Sequence, residues 1–162
     1  MHPILILQLL TLVVVANATP VVAKKLLGKE FAWPLDGGVA FVDGRPLLGS
    51  SKTIRGIVVS LVVTPIAAAL IGLGLEVGIL VATTTMAGDL LSSFVKRRLG
   101  LRSSSMAIGL DQIPESLLPL IAASWLLPVT LVDIAAGTAI FLAGSLTLSR
   151  ILFKLRIRDE PY

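Results

Sequence analysis

The sequence contains no cysteine, which excludes disulfides, thiolate metal centres and cysteine nucleophiles. Its single histidine is His2, at the extreme N-terminus, so a mechanism built on imidazole has no residue to use along the rest of the chain. No lysine or arginine precedes Lys24. A secretory signal opens with positive charge, so Ala16-Asn17-Ala18, which resembles a signal-peptidase site, is read as part of a retained apolar span. The glycosylation sequon Asn17-Ala18-Thr19 falls inside that same span and is discounted. Charge is sparse overall: 15% of the residues are charged against 55% hydrophobic, and mean hydropathy is +0.93. Soluble globular chains are roughly 45–50% apolar. This composition is that of an integral membrane protein.

With 162 residues, a single integral membrane domain over 1–162 is expected. Five apolar runs approach the ~20 residues that cross a bilayer: Pro3–Ala23, Gly56–Leu75, Val77–Val95, Ile113–Leu127 and Pro128–Phe153. The second and third are separated by a tight turn around Gly72, Gly74 and Glu76. The fourth is short and holds Pro114 and Pro119, and Pro128 marks the turn into the fifth. The predicted fold is therefore an all-α bundle of about five transmembrane helices.

The cations orient it. Lys24, Lys25, Lys29, Arg45, Lys52 and Arg55 lie between spans one and two, and Lys96, Arg97, Arg98 and Arg102 between spans three and four. Arg150, Lys154, Arg156 and Arg158 close the chain, so all fourteen fall on one side. The opposite turns hold only Glu76 and Asp133. By the positive-inside rule both long loops and the C-terminus are cytoplasmic and the N-terminus is outside. Topology and anionic substrates then account for the basic balance, and no nucleic-acid partner is expected.

Asp89, Ser92, Ser93, Lys96 and Arg97 are spaced i, i+3, i+4, i+7 and i+8 and share one helix face. A carboxylate in a membrane segment costs about 2.5–3.5 kcal/mol on insertion scales. A functional role is the default reading, and an internal ion pair with a neighbouring cation is the structural one. Asp111 stands where the chain re-enters the membrane, with Pro114 and Glu115 behind it. It is as readily an ordinary helix cap as a functional carboxylate, and the two roles are compatible. Between these sites the polar, glycine-flanked stretch Gly100–Gly109 is suited to folding over a ligand.

The first long loop, Asp36–Gly56, is the other dense region. Gly44 and Gly49 have P-loop spacing, but Ser50 and Ser51 separate Gly49 from Lys52-Thr53. A Walker motif needs lysine directly after the glycine, so this is not one. It remains a loop of exposed N–H groups, hydroxyls, Lys52 and Arg55 suited to oxyanions. A basic segment against anionic lipid explains Lys24, Lys25 and Lys29; it explains the glycines and Asp43 poorly. Carboxylates and cations without a nucleophile–base pair suit phosphoryl or nucleotidyl transfer, which needs mainly positioning and charge neutralisation.

The stretches "GDLLSSFVKRRLG", "GLDQIPESLLP" and "DGRPLLGSSKTIRG" resemble those of the CDP-archaeol synthases of archaea, membrane cytidylyltransferases related to the CDP-diacylglycerol synthases. The resemblance implies that CTP and 2,3-di-O-geranylgeranylglyceryl phosphate, a geranylgeranyl-ether glycerol phosphate lipid, give CDP-archaeol and pyrophosphate with Mg2+. The active site would lie on the cytoplasmic side of the cell membrane. Carried over by position, Asp89 and Asp111 would hold the metal. Lys96 and Arg97, with Lys52 and Arg55, would neutralise the triphosphate and the lipid phosphate. Ser93 would meet a phosphate oxygen, Lys52-Thr53 supplies the loop's Lys-Thr pair, and Gln112 with residues 103–109 is expected at ribose or base. In the diacylglycerol relatives an acidic residue follows the Lys-Arg pair much more closely, whereas here Asp111 is fourteen residues beyond Arg97.

Two rivals lack their signatures. A CDP-alcohol phosphotransferase needs clustered aspartates on neighbouring helices. A small transporter needs ionisable groups near the bilayer midplane, and here they gather at its boundary.

Overall fold

A computed structural model describes residues 1–154 except Ser104 and Met106, with backbone alone for 150–154. Arg156, Arg158 and part of the 103–109 loop thus lie outside the described residues. Five α-helices follow one another: α1 Pro3–Leu27, α2 Ile54–Leu70, α3 Leu75–Arg98, α4 Gln112–Ala123 and α5 Leu131–Lys154. They match the five predicted spans in order.

Three of them, α1, α3 and α5, are long and apolar enough to cross a membrane. The 17 residues of α2 stand at the lower limit for a span. The 12 residues of α4 rise only about 18 Å, short of the ~30 Å hydrocarbon thickness. The fourth predicted span therefore ends early: the chain leaves the helix at Ser124, and α5 begins at Leu131 rather than Pro128.

Prolines inside apolar helices free carbonyls that lipid cannot satisfy. Pro20 interrupts α1, and the carbonyl of Ala16, four residues earlier, accepts instead from Thr19 Oγ1 at 3.2 Å and from Ser60 Oγ of α2 at 3.1 Å. That freed carbonyl becomes a cross-link between α1 and α2. Small residues set the other close approaches. A Cβ on Gly78 would lie 2.4 Å from Pro65 Cα, so α3 meets α2 backbone to backbone at that point. Gly88 does the same for α3 and α4: its Cβ would lie 2.3 Å from the Pro114 carbonyl oxygen.

The buried interior is graded along the bundle. Leu9, Leu12, Val13, Val81, Leu120 and Ile134 form an apolar cluster with contributions from four helices. Further along α3 the buried residues become Ser92, Ser93, Lys96 and Arg97. One helix thus carries the core at its start and the charges at its end. At the apolar end, the N-termini of α1 and α5 are joined through Asp133, whose carboxylate accepts from the His2 backbone N–H at 2.8 Å.

The loop between α1 and α2 is organised. Phe41 N–H donates to Arg45 O and Leu47 N–H to Val39 O, closing a small hairpin through Gly44. Asp36 ties its ends together, accepting from Gly38, Leu48 and Gly49 N–H groups at 2.9–3.1 Å. Burial pushes the Asp36 carboxyl up, but the backbone donors outweigh it and hold it below the ordinary carboxylate range.

Candidate active site

The polar end of α3 meets both loops and the start of α4. Lys52, just ahead of α2, places Nζ 2.5 and 2.6 Å from the two oxygens of Asp89. Glu115 of α4 comes within electrostatic range of Asp89, Lys52 and Asp111. Gly88 makes this possible, because the α4 backbone occupies the space a side chain would need. Second comes Lys96, whose Nζ lies 2.7 Å from Asp111 Oδ1 and donates to Ser105 O at 2.9 Å. The Asp111 Oδ1 contact is electrostatic, since that oxygen meets no donor in hydrogen-bond geometry.

Of the two readings of Asp111, the cap is not the one the geometry takes. Its backbone is already helical, and its side chain makes no cap hydrogen bond to α4. Instead Oδ2 accepts from Ala107 N–H at 2.9 Å, holding the second loop against Lys96. Gln112 is buried and accepts from Gly109 N–H at 2.7 Å, shaping the same turn.

Arg97 is buried at the foot of the first loop. It donates to Arg102 O at 2.6 Å, while its Nε has no hydrogen-bond partner among the described residues. It lines an open pocket of about 510 Å³ together with Asp36, Arg45, Gly49, Ser50 and Ser103. Gly49, at φ +94, leaves only 3.1 Å between a would-be Cβ and Ser103 Oγ, so the two loops touch here through glycine. Ser51 accepts from Ser103 across the same seam.

Other predicted residues are engaged in building the loop. Thr53 caps α2, accepting from Gly56 N–H at 3.2 Å. Arg55 is buried and donates to the carbonyls of Gly28 and Glu30, so it braces the exit of α1. Ser93 is buried on the α3 face that carries Lys96 and Arg97. The fold brings Asp89, Lys96, Arg97, Asp111 and Lys52 to one end of the bundle, while Thr53 and Arg55 are engaged in holding the loop and the exit of α1.

Three contributors were not anticipated. Asp36 precedes two glycines, an Asx-turn signature that marks it as a loop organiser. Arg98 pairs with Asp43 at 2.6 Å, donates to Pro46 O, and stacks 4.7 Å from the Phe41 ring and 5.1 Å from Phe94. Arg45 reciprocates by donating to the Arg98 carbonyl at the end of α3. That cross-brace spans more than fifty residues, and nothing local announces it.

The carboxylates here are hard oxygen donors, the class Mg2+ takes, usually one or two together with substrate phosphates. Among the described residues no three acidic or histidine side chains form a metal-holding group by themselves. The donor set fits a cation whose coordination is completed by phosphate oxygens.

The family model for CarS-like CDP-archaeol synthases matches residues 4–162. The CDP-archaeol synthase of Pyrobaculum calidifontis is 32% identical over 161 residues, 91% of each chain. Those of Hyperthermus butylicus and Aeropyrum pernix are 36% and 41% identical over shorter stretches, in which this chain spans 59% and 57% of the relative's length. A solved structure of an intramembrane enzyme for archaeal membrane lipids biosynthesis superposes with a TM-score of 0.70 at 33% identity. That match covers 87% of this chain and 90% of the other.

Proposed function

The chain belongs to the CDP-archaeol synthase family, and from that premise we propose that it joins CTP to a geranylgeranyl-ether glycerol phosphate, releasing pyrophosphate, on the cytoplasmic face of the membrane. The observation that carries the site assignment is the meeting of Asp89, Glu115 and Lys52 beside the Lys96–Asp111 pair, where a membrane helix reaches its loops.

In the reaction, an oxygen of the lipid phosphate attacks the α-phosphorus of CTP in line. A new P–O bond forms as the bond from the α-phosphorus to the bridging oxygen breaks, and that oxygen leaves with pyrophosphate. A phosphate monoester is already largely ionised near neutral pH, so no protein base is required. This agrees with a site that holds no histidine. Asp89 and Asp111, with Glu115 beside them, would hold Mg2+, which when bound supplies charge neutralisation to the triphosphate and its leaving group.

The chain's own residues do the rest. Arg97, with an unpartnered Nε and a place in the pocket wall, offers its guanidinium charge to a phosphate oxygen. Lys96 and Lys52 balance the charge that accumulates as two anions meet. The two loops, which meet at Gly49, Ser51 and Ser103, wall the pocket and frame the place where the two phosphates come together. The lipid reaches the site from the bilayer, and CTP from the aqueous side.

The test uses purified protein, Mg2+, CTP labelled at the α-phosphate and the ether lipid phosphate, with Asp89→Asn alongside. Label entering the organic phase with the native chain and not with the variant supports the assignment. No transfer with ether or diacyl lipid phosphate in a folded sample overturns it, and a transporter or another lipid-phosphate enzyme then leads.

A further inference from the structure

We propose that Lys52 is a placeholder cation: its ammonium occupies the Asp89 carboxylate until metal and nucleotide arrive together, and then moves to the nucleotide's phosphates. The inference rests on the reading of Asp89 as a metal-holding group and goes beyond it, assigning a binding order and the residue that imposes it.

Three features of the structure lead there. First, Lys52 engages both oxygens of Asp89 at 2.5 and 2.6 Å. A cation seeking that carboxylate meets both of its oxygens already engaged by an ammonium, with the Glu115 carboxyl beside them from α4. Second, the backbone at Lys52 is fixed. Its N–H donates to Gly49 O at 3.2 Å, its carbonyl accepts from Leu35 N–H at 2.8 Å, and Thr53 caps α2 directly after it. Release of Asp89 therefore has to be a swing of the side chain alone, which keeps the ammonium in the site. Third, Gly49 and Ser50, three and two residues before it, line the pocket that also holds Arg97. The flexible four-carbon stem of lysine lets the freed ammonium turn from the carboxylate toward an anion in that pocket.

The physical consequence is coupling. Metal alone must displace an ammonium that then has no partner in a partly buried site, which opposes binding. When metal and triphosphate enter together, the displaced ammonium finds phosphate oxygens and the opposition disappears. Each ligand thus raises the affinity of the other by the same factor.

The experiment measures Mn2+ binding to the detergent-solubilised chain by the loss of free-ion paramagnetic resonance signal, with and without CTP and no lipid present. Native protein, Lys52→Gln and Lys52→Arg are compared after each is shown to unfold cooperatively. For the native chain CTP is expected to tighten Mn2+ binding by about tenfold or more, in the range of ordinary coupling energies. Lys52→Gln binds Mn2+ tighter than native without CTP and loses most of the coupling, whereas Lys52→Arg, which keeps a cation, retains it. Equal Mn2+ affinity in native protein and Lys52→Gln without CTP overturns the placeholder role, as does coupling undiminished in Lys52→Gln. Asp89→Asn separates the two readings: if it binds Mn2+ like the native chain, the metal assignment itself fails and not the role of Lys52 alone.

Discussion

Two carboxylates lie at opposite ends of the bundle, each joined to a basic residue, and their surroundings differ in kind. Asp133 is 1% exposed and saturated: it accepts from the His2 backbone at 2.8 Å, faces the His2 ring Nδ1 at 2.9 Å, and takes the Thr130 N–H and hydroxyl at 3.0 and 2.7 Å. With Asp133 N–H returned to Thr130 Oγ1, this is a capping box at the start of α5. Asp89 has instead one flexible lysine and a second carboxylate. Asp133 holds two helix ends in place, and nothing remains on it for a ligand. Asp89 is held by groups that can leave. A charged residue in an apolar chain therefore marks a site only when its partners are exchangeable.

The largest expected effect breaks this comparison in one step. Asp89→Asn should reduce cytidylyl transfer at least about a hundredfold, on the scale seen when a metal site loses an essential group. Asp133→Asn should leave turnover per folded molecule close to native. Equal losses in the label-transfer assay would mean that both carboxylates are structural.

Next in size is Gly88→Ala. The added carbon would lie 2.3 Å from the Pro114 carbonyl oxygen and 2.9 Å from Glu115 N, and backbone atoms of a packed helix have little room to shift. Overpacking of this kind typically costs about 1–3 kcal/mol, and here it also drives Glu115 away from Asp89. Gly144→Ala, with nothing within 4 Å of its Cβ, is the matched control. Thermal unfolding in detergent should separate the two variants, and transfer should fall in Gly88→Ala alone.

How much of this was legible beforehand differs between the same two ends. The five helices follow from apolar runs punctuated by Gly72, Gly74 and Pro128, because a bilayer imposes length and continuity on whatever crosses it. The length of α4 was not legible, since Ser124 through Leu127 read as apolar continuation although the chain has already turned. The Asp89 face was legible from i, i+3, i+4 and i+7 spacing. Its partner Lys52 was named only as a triphosphate contact, because pairing across 37 residues is a product of tertiary packing. The Arg98–Asp43 brace went unseen for the same reason, whereas Asp36 carried a local Asx-turn signal that was not read. Thr130-x-x-Asp133 carried a local signal, a hydroxyl followed three residues later by a carboxylate, and it marks the saturated cap at the start of α5.

Removing the saturated carboxylate tests the other half. Asp133→Ala leaves the His2 and Thr130 donors without their acceptor, and each unsatisfied buried group costs roughly 1–3 kcal/mol. The variant should unfold at clearly lower temperature than native, with transfer per folded molecule unchanged. A variant as stable as native would remove the stapling role assigned to this end.

The smallest effect concerns the loop above the site. The backbone donors that hold Asp36 below its ordinary range favour the ionised form in the folded loop. A carboxyl depressed on folding contributes stability above its unfolded value, near 4, and that contribution is lost as pH falls through the lower folded value. The loop is therefore expected to loosen only in acid, with no change between neutral pH and about pH 5. Limited proteolysis across residues 34–52 reads this directly. Cleavage in the native chain should rise at low pH, while Asp36→Asn, which keeps the shape and loses the charge, should be cleaved faster at neutral pH and respond little to acid. Because Asp36 anchors Leu48 and Gly49, a few residues ahead of Lys52, the same variant should weaken CTP binding by a few-fold without altering the unfolding of the α1–α5 end. A native-like loop in Asp36→Asn would show that the hairpin and the Arg98 brace suffice to hold Lys52 over Asp89.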